Sequence, residues 1–453
     1  MKIQQSRLQL SKVWNAYWFR PAPLFDLALC RIIIVGFQLG FIIFTDYYHR
    51  ILELGDISGL AYNPWHIVSL FSFLWGAQQI PPDWFLSLIF CLTFICGITS
   101  LIGFKTNLSL MVFAMGNFFL EAYIFSVGSH HHHHRFALLL IALFILALSP
   151  SGGVMSLDDL LQKLRTNIKK QRFKPFNLLN KKSELARWPL LTIQWLFAIV
   201  YLSSALHKLT QGAGIISTDW MNGYTLQYVL TNDGLLWESA LGVWLGQYRI
   251  IGVVFAWMAI IFEGTFFLVL IFPSLVWVYI PAGIGFHTGI YLAQRAPFFT
   301  YIALYSVFMP WTGMIKTLSR RQLHSSGQPK PEILYDGLCP LCIRSMTILC
   351  YFDWFQRLSY TPVEEQWASI QKTHPDLSLD ACLAEMHLIL PDGSVQKGFF
   401  AFREIIRYLP PLWPLLVLLY FPGAAILGPK IYRFVASRRK RLTRCSFDSC
   451  SLK

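Results

Sequence analysis

The sequence predicts a polytopic α-helical membrane bundle of about eight spans followed by a small C-terminal α/β domain. Three observations carry this expectation. Of the 453 residues, 55% are hydrophobic and only 14% are charged, whereas an average soluble domain is about 25% charged. Apolar stretches of about 20 residues, enough to cross a hydrocarbon core about 30 Å thick, recur through the first two thirds of the chain. From residue 331 the pattern changes to short strands and helices. There Cys339-Pro340-Leu341-Cys342 closely follows the apolar run Ile333-Leu334-Tyr335.

In chain order, spans are expected near residues 25–47, 83–104, 107–127, 135–149, 189–208, 250–272, 274–292 and 298–315. The fourth is short. Pro273 and Pro281 sit at or inside spans, where neighbouring helices can satisfy the freed carbonyls. Residues 65–75 are aromatic and apolar but too few to cross, so they are expected at the membrane interface. No cleavable leader is expected, because the basic start is not followed by a short apolar run ending in small residues. The bundle is assigned to 1–316 and a Ser, Gly and Pro-containing linker to 317–330. The α/β domain with its basic tail takes 331–453. Within it, Pro391-Asp392-Gly393 marks a hairpin and 399–408 a helix. The proline-rich apolar stretch 409–427 reads as a helical cap on the membrane or on the α/β domain. A ninth span there would move the basic tail to the outer face.

The formal charge of +14 is first a topology signal. Lys2, Arg7, Lys12 and Arg20 lead the chain with no acid before Asp26. The loop 151–188 is crowded with Lys and Arg, among them Lys163, Arg165, Lys169, Lys170 and Arg172, against Asp158, Asp159 and Glu184. A third basic group follows the eighth span. With eight spans all three lie on one side, the cytoplasm by the positive-inside rule. The expected location is a bacterial inner membrane, with both termini cytoplasmic. Nucleic acid is not an expected partner. The basic residues flank spans, and those at 438–441 suit anionic headgroups.

Nine cysteines with only one tight pair imply no disulfide framework. A thiol reacts as its thiolate, and a helix N-terminus lowers its pKa. Pro340 suits a first helical turn, where no N–H is needed. Cys339 is therefore the expected attacking thiol and Cys342 the resolving one. The competing reading is half of a zinc site, which needs four ligands; Cys350, Cys445 and Cys450 keep it open.

Asp336, Cys339 and Cys342 lie in Tyr335-Asp336-Gly337-Leu338-Cys339-Pro340-Leu341-Cys342, which resembles the opening motif of the DCC-type thiol-disulfide oxidoreductases, a thioredoxin-like group. The resemblance covers 331–444 and implies dithiol chemistry. In the reducing cytoplasm the pair is expected to rest as a dithiol and to act as a reductant, with a cytoplasmic thiol as its partner.

Ionisable residues inside spans default to functional hypotheses. Here they are Arg31, Glu121, Glu263, His287 and the pair His207-Lys208. Arg31, Glu121 and Glu263 equally suit a structural role, pairing with one another or with carbonyls. The five histidines at 130–134 do not make a defined metal site, and no firm metal is expected.

A second resemblance lies in the bundle. Lys208-Leu209-Thr210-Gln211, then Asp219-Trp220-Met221-Asn222-Gly223-Tyr224, together with the run from His134 to Ser156-Leu157-Asp158, resemble the vitamin K-dependent γ-carboxylase family. The broader family is the horizontally transferred transmembrane domain. It implies a lysine that deprotonates a vitamin K-like quinol and a histidine that supports it. Carried over, Lys208 is the base and His134 its partner, or His133 if the alignment slips by one. Tyr201, Trp220 and Tyr224 would shape a slot for a quinone ring. Both groups fall on the outer side, about 30 Å from Cys339. The large propeptide-binding domain of the carboxylases has no counterpart here. Quinol binding and proton abstraction are therefore expected to persist better than glutamate carboxylation. The leading expectation is a membrane oxidoreductase with an outer quinol site and an inner thiol reductase. The alternatives are a maturation factor for an exported peptide, and a non-enzymatic quinone- or lipid-binding scaffold with a redox sensor.

Overall fold

The computed structural model describes residues 11–54, 62–76, 80–127, 134–210, 218–326 and 329–438. Its long helices in the first part are α1 (Leu24–Phe44), α2 (Asp83–Ile102), α3 (Thr106–Ser126), α4 (His134–Ala147), α5 (Leu157–Lys169), α6 (Arg187–Thr210), α7 (Tyr224–Leu236), α8 (Arg249–Thr265) and α9 (Val276–Gln294). Then come α10 (Phe299–Leu304), α11 (Trp311–Ser326), β1 (Glu332–Tyr335), α12 (Pro340–Phe352), β2 (Ser359–Pro362), α13 (Val363–Thr373) and α14 (Leu379–Ala384). The chain closes with β3 (His387–Ile389), β4 (Val395–Lys397), α15 (Gly398–Arg407), α16 (Pro414–Leu419) and α17 (Ala424–Ala436). Two compact units divide it. One holds Met1–Ser156 and Lys182–Met309; the other holds Leu157–Lys181 and Pro310–Lys453.

The first unit is helical. Among the described residues six segments are long and apolar enough to cross a membrane: Leu24–Phe44, Asp83–Ile102, Thr106–Ser126, Glu184–Thr210, Arg249–Ile271 and Pro273–Gln294. The expected fourth and eighth spans are present as shorter apolar helices, Phe136–Ala147 and Phe299–Phe308. At 1.5 Å per residue the first of these reaches only about 18 Å. Leu139, Ala142, Leu143 and Leu146 along it are fully buried, so other helices rather than lipid surround that face. Residues 65–75 form only short helical turns, and Leu70 and Phe73 are exposed, in keeping with an interfacial segment.

Close approach of helices is written into small residues. Gly103 ends α2 at φ 74, a conformation that an L side chain resists. A Cβ there would fall 2.4 Å from Ser156 Cβ and 2.5 Å from Arg31 Nη1. Several buried polar groups in this part of the bundle find protein partners, as burial favours. The Arg31 Nη2 donates to the Met155 carbonyl at 2.5 Å, Gln38 donates to Asn117 at 2.7 Å, and the Tyr47 hydroxyl donates to Glu121 at 2.8 Å. Arg31 and Glu121 thus serve the packing, each with its own partner.

The second unit is α/β. Its sheet runs in the order β2-β1-β3-β4. β1 pairs parallel with β2, and β3 pairs antiparallel with both β1 and β4. A parallel pair needs a crossover, and α12 supplies it. The result is a βαβ unit followed by a ββα unit, the thioredoxin-like arrangement expected. The hairpin is the anticipated one, with Gly393 at φ 82. Alternation along β1 sends Ile333 and Tyr335 into a core with Met346, Ile405 and Ile406, and Leu334 into another with Val363 and Ile370. Much of the segment expected as a linker, 317–330, is helical, since α11 continues to Ser326.

One feature escaped the sequence reading. Residues 157–181, expected as a loop between spans, are an integral layer of the α/β unit. Asn167 in α5 donates to Thr347 in α12 at 3.0 Å. Phe173 is 5% exposed, and its ring meets those of Tyr335 and Tyr360 at 6.0 and 5.4 Å. The Cys350 thiol donates to the Phe176 carbonyl at 3.3 Å.

Candidate functional site

The thiol site grows out of the end of β1. Asp336, buried at its tip, accepts from the Leu338 N–H at 2.9 Å through Oδ1. The Gly337 N–H donates to Glu364 Oε2 at 2.9 Å. This tight turn delivers Cys339 to the N-cap of α12, with extended φ and ψ of −88 and 117 and Pro340 next in the first turn. A cap residue of this kind accepts from the unpaired amides of the first turn. Here Cys339 Sγ accepts from the Cys342 N–H at 3.4 Å.

The electrostatic outcome is a thiol lowered to about 6. The hydrogen bond from the Cys342 side chain is the largest cause, helped by the backbone N–H groups of Cys342 and Leu341 and opposed by burial and by Asp336. At neutral pH Cys339 is therefore largely a thiolate. Cys350 is the contrast. Burial pushes its thiol up to about 12, so it stays protonated beside Phe176. Among the described residues no group of three or more His, Cys, Asp or Glu side chains is placed to hold a metal ion. Cys445 and Cys450, named above as zinc candidates, lie outside the described residues.

Cys339 has no exposed surface and Cys342 is 8% exposed. A cavity of about 110 Å³ opens beside Cys342, lined by Tyr335, Asp336, Leu341, Met386, Phe402 and Tyr432 among others. The Met386 N–H donates to the Tyr432 hydroxyl at 3.0 Å, tying α17 to one wall.

A second constellation lies in the helical unit. Tyr201, Ser204 and Lys208 follow i, i+3, i+7 spacing and so share one stripe of α6. The Lys208 ammonium donates to Glu263 Oε2 of α8 at 2.5 Å and to Ser204 Oγ at 2.8 Å. It also lies 5.5 Å from the centre of the Trp220 ring. The two charged side chains are 14% and 6% exposed. The Tyr201 hydroxyl bonds His287 Nε2 at 2.7 Å and the Tyr305 hydroxyl at 2.5 Å. The other ring nitrogen of His287, Nδ1, is buried and has no hydrogen-bond partner among the described residues. Tyr305 reaches this position because Gly283 leaves room; a Cβ there would lie 2.1 Å from the Tyr305 hydroxyl.

The structure thus brings Lys208, Glu263 and Trp220 together and links His287 to Tyr201. It does not bring Tyr224 to Lys208: Tyr224 is 54% exposed, and the Arg249 guanidinium stacks on its ring at 4.4 Å. Gly223 has a backbone role, with φ 81 at the N-cap of α7 and a position where a Cβ would fall 2.4 Å from the Val253 amide. His133 lies outside the described residues. His134 opens α4, but its side chain lies outside them as well. Sequence reasoning missed Ser204 and Tyr305. The helical spacing from Tyr201 to Lys208 was the signal for Ser204. Tyr305 comes from a distant segment and had none.

Comparison with known families agrees with this division. A model described as the HTTM domain matches residues 19–311. A model described as a DCC1-like thiol-disulfide oxidoreductase matches residues 333–445. No curated protein and no solved structure matches the chain.

Proposed function

The chain belongs to the HTTM family and carries a DCC1-like thiol-disulfide oxidoreductase domain, and from that premise we propose that this integral membrane redox protein reduces disulfides through Cys339 and Cys342. The carrying observation is the placement of Cys339 at the N-cap of α12 with its thiol lowered to about 6. The Cys339 thiolate attacks one sulfur of a substrate disulfide and releases the other as a thiolate. Cys342 then loses its proton and attacks Cys339 Sγ, breaking the mixed disulfide. The protein is left with a Cys339–Cys342 disulfide, and the substrate leaves with two thiols after taking up the proton from Cys342 and one from solvent. The two electrons come from the dithiol, which a cytoplasmic thiol partner restores. The role of Asp336 is to hold the turn before the cap.

The cytoplasmic side is supported by charge. The strongly basic residues 157–181 belong to the same unit as the dithiol, which supports assigning both to one face of the membrane, and basic loops favour the interior.

In the helical unit the residues fit a quinol. A base with 14% of its side chain exposed stands beside an indole ring, and a buried His287 Nδ1 lacks a partner among the described residues. A bound quinol would supply two protons and two electrons, the electrons passing to dioxygen as the acceptor. Lys208 and Glu263 act as one acid–base pair: a proton passed from Nζ to Oε2 leaves a neutral amine able to accept another. Ser204 orients Nζ, and Trp220 offers a ring face. His134 is the proposed supporting partner of Lys208.

The test uses the full-length protein in detergent. Disulfide reduction should fail in Cys339→Ser and persist in Lys208→Ala, while quinol oxidation should show the reverse. Disulfide reduction by Cys339→Ser at the native rate would overturn the thiol assignment. Quinol oxidation unchanged in Lys208→Ala would overturn the second site.

A further inference from the structure

Among the described residues, the C-terminal helices α16 and α17 carry an exposed apolar face. Val417 is 74% exposed, Leu418 70%, Phe421 66%, Ile426 71% and Phe434 59%. Along α17 the outward positions Leu427, Ile431 and Phe434 follow i, i+4, i+7 spacing, one stripe of a helix. A neighbouring side of α17 is committed to the α/β unit. Tyr432 accepts from Met386, and Gly428 lies so close to Phe399 that a Cβ would come within 2.4 Å of its ring. The stripe is therefore a settled surface of a folded helix.

Three observations say what covers it. First, the charge is of one sign. Between Tyr408 and Arg438 the sequence has no Asp or Glu, while Lys430, Arg433 and Arg438 lie on or beside the apolar stripe. Second, Trp413 and Tyr420 are half-exposed at the start of the segment, the residue types that favour the headgroup layer. Third, the unit is tied by covalent bonds to a membrane bundle at three places, after Ser156, before Lys182 and after Met309. Length decides between lying on and crossing. α17 has 13 residues and α16 has 6, whereas a span needs about 20. An apolar stripe flanked by cations on a helix of this length is an interfacial element.

We propose that α16 and α17 form a lipid-binding surface that seats the thiol unit on an anionic bilayer. Bilayer acyl chains take the apolar stripe, and anionic headgroups pair with Lys430, Arg433 and Arg438. The inner face of α17, with Tyr432, Val435 and Ala436, walls the cavity beside Cys342, so the seated helix and the thiol cavity are two sides of one element. The inference holds whichever face of the membrane carries the unit, and it does not depend on the catalytic roles of the cysteines.

Full-length protein in nanodiscs of phosphatidylglycerol and phosphatidylethanolamine tests it. A photo-crosslinking amino acid is placed at Leu427, Ile431 or Phe434, with Val395 on the hairpin as the control. Unchanged thermal unfolding of each variant shows that the unit is folded. Lipid adducts by mass spectrometry are expected at the three α17 positions and not at Val395. Lys430→Gln and Arg433→Gln should each lower the ratio of seated to unseated helix about fivefold, as loss of about 1 kcal/mol per basic residue implies. Crosslinks to a second copy, crosslinks to another protein, or no lipid adduct above the Val395 level would each overturn the proposal. Loss of disulfide reduction with lipid adducts intact would count against the thiol function alone.

Discussion

At the scale of single residues, the chemistry rests on how each charge or thiol is held. Cys339 is lowered chiefly by the Cys342 side chain, so Cys342→Ala should move the pH midpoint of Cys339 alkylation upward from about 6. A folded-state pKa below the unfolded one adds stability that is full above the unfolded value and is lost as pH falls. The reduced form should therefore gain thermal stability as pH rises from about 6 toward 9, and Cys339→Ser should flatten that rise. Lys208 and Glu263 present the opposite problem, a charge pair largely out of water. Removing one partner strands the other, a loss of about 3–5 kcal/mol, whereas replacing both with apolar residues is often near neutral. Lys208→Met alone should lower the unfolding midpoint in detergent, and Lys208→Met with Glu263→Leu should recover most of it. If the double variant kept quinol oxidation as well, the pair would be structural only.

Among the elements, the layer formed by α5 and Phe173 is the least expected. A basic stretch between two spans reads from sequence as a solvated loop, because Lys and Arg dominate its composition. Its few apolar residues do the packing. Phe173 is nearly buried against Tyr335 and Tyr360, and truncating a buried Phe to Ala removes about 3–5 kcal/mol. Phe173→Ala should therefore destabilise the thiol unit, read as faster hydrogen exchange in β1 and α12, with no change in exchange within α2 and α3. A similar lesson comes from α4. Its sequence is apolar enough for a span, yet Phe136–Ala147 is too short to cross alone. Apolarity reports removal from water, and burial by protein and burial by lipid give the same composition.

For the whole molecule the decisive quantity is sidedness. Residues 157–181 and the dithiol belong to one unit, so Lys170→Cys and Lys372→Cys should be labelled together by a membrane-impermeant maleimide. Labelling is expected in inverted vesicles and absent in intact cells; labelling from outside would reverse the proposed orientation.

The division into bundle and thiol domain, the six long spans, the hairpin and the capped Cys339 were all legible in the chain. Each depends on local physics: a run of apolar residues, a turn signal, or a thiol ahead of a helix. Folding alone decided that Glu263 meets Lys208, that Tyr305 meets Tyr201, that Tyr224 turns to Arg249, and that 157–181 packs on α12. Those partners are 55, 104, 25 and about 180 residues apart. A composition or a period describes one segment and its own faces. Which face meets which is settled by packing and by pairing buried charge, and neither acts until the segments are side by side.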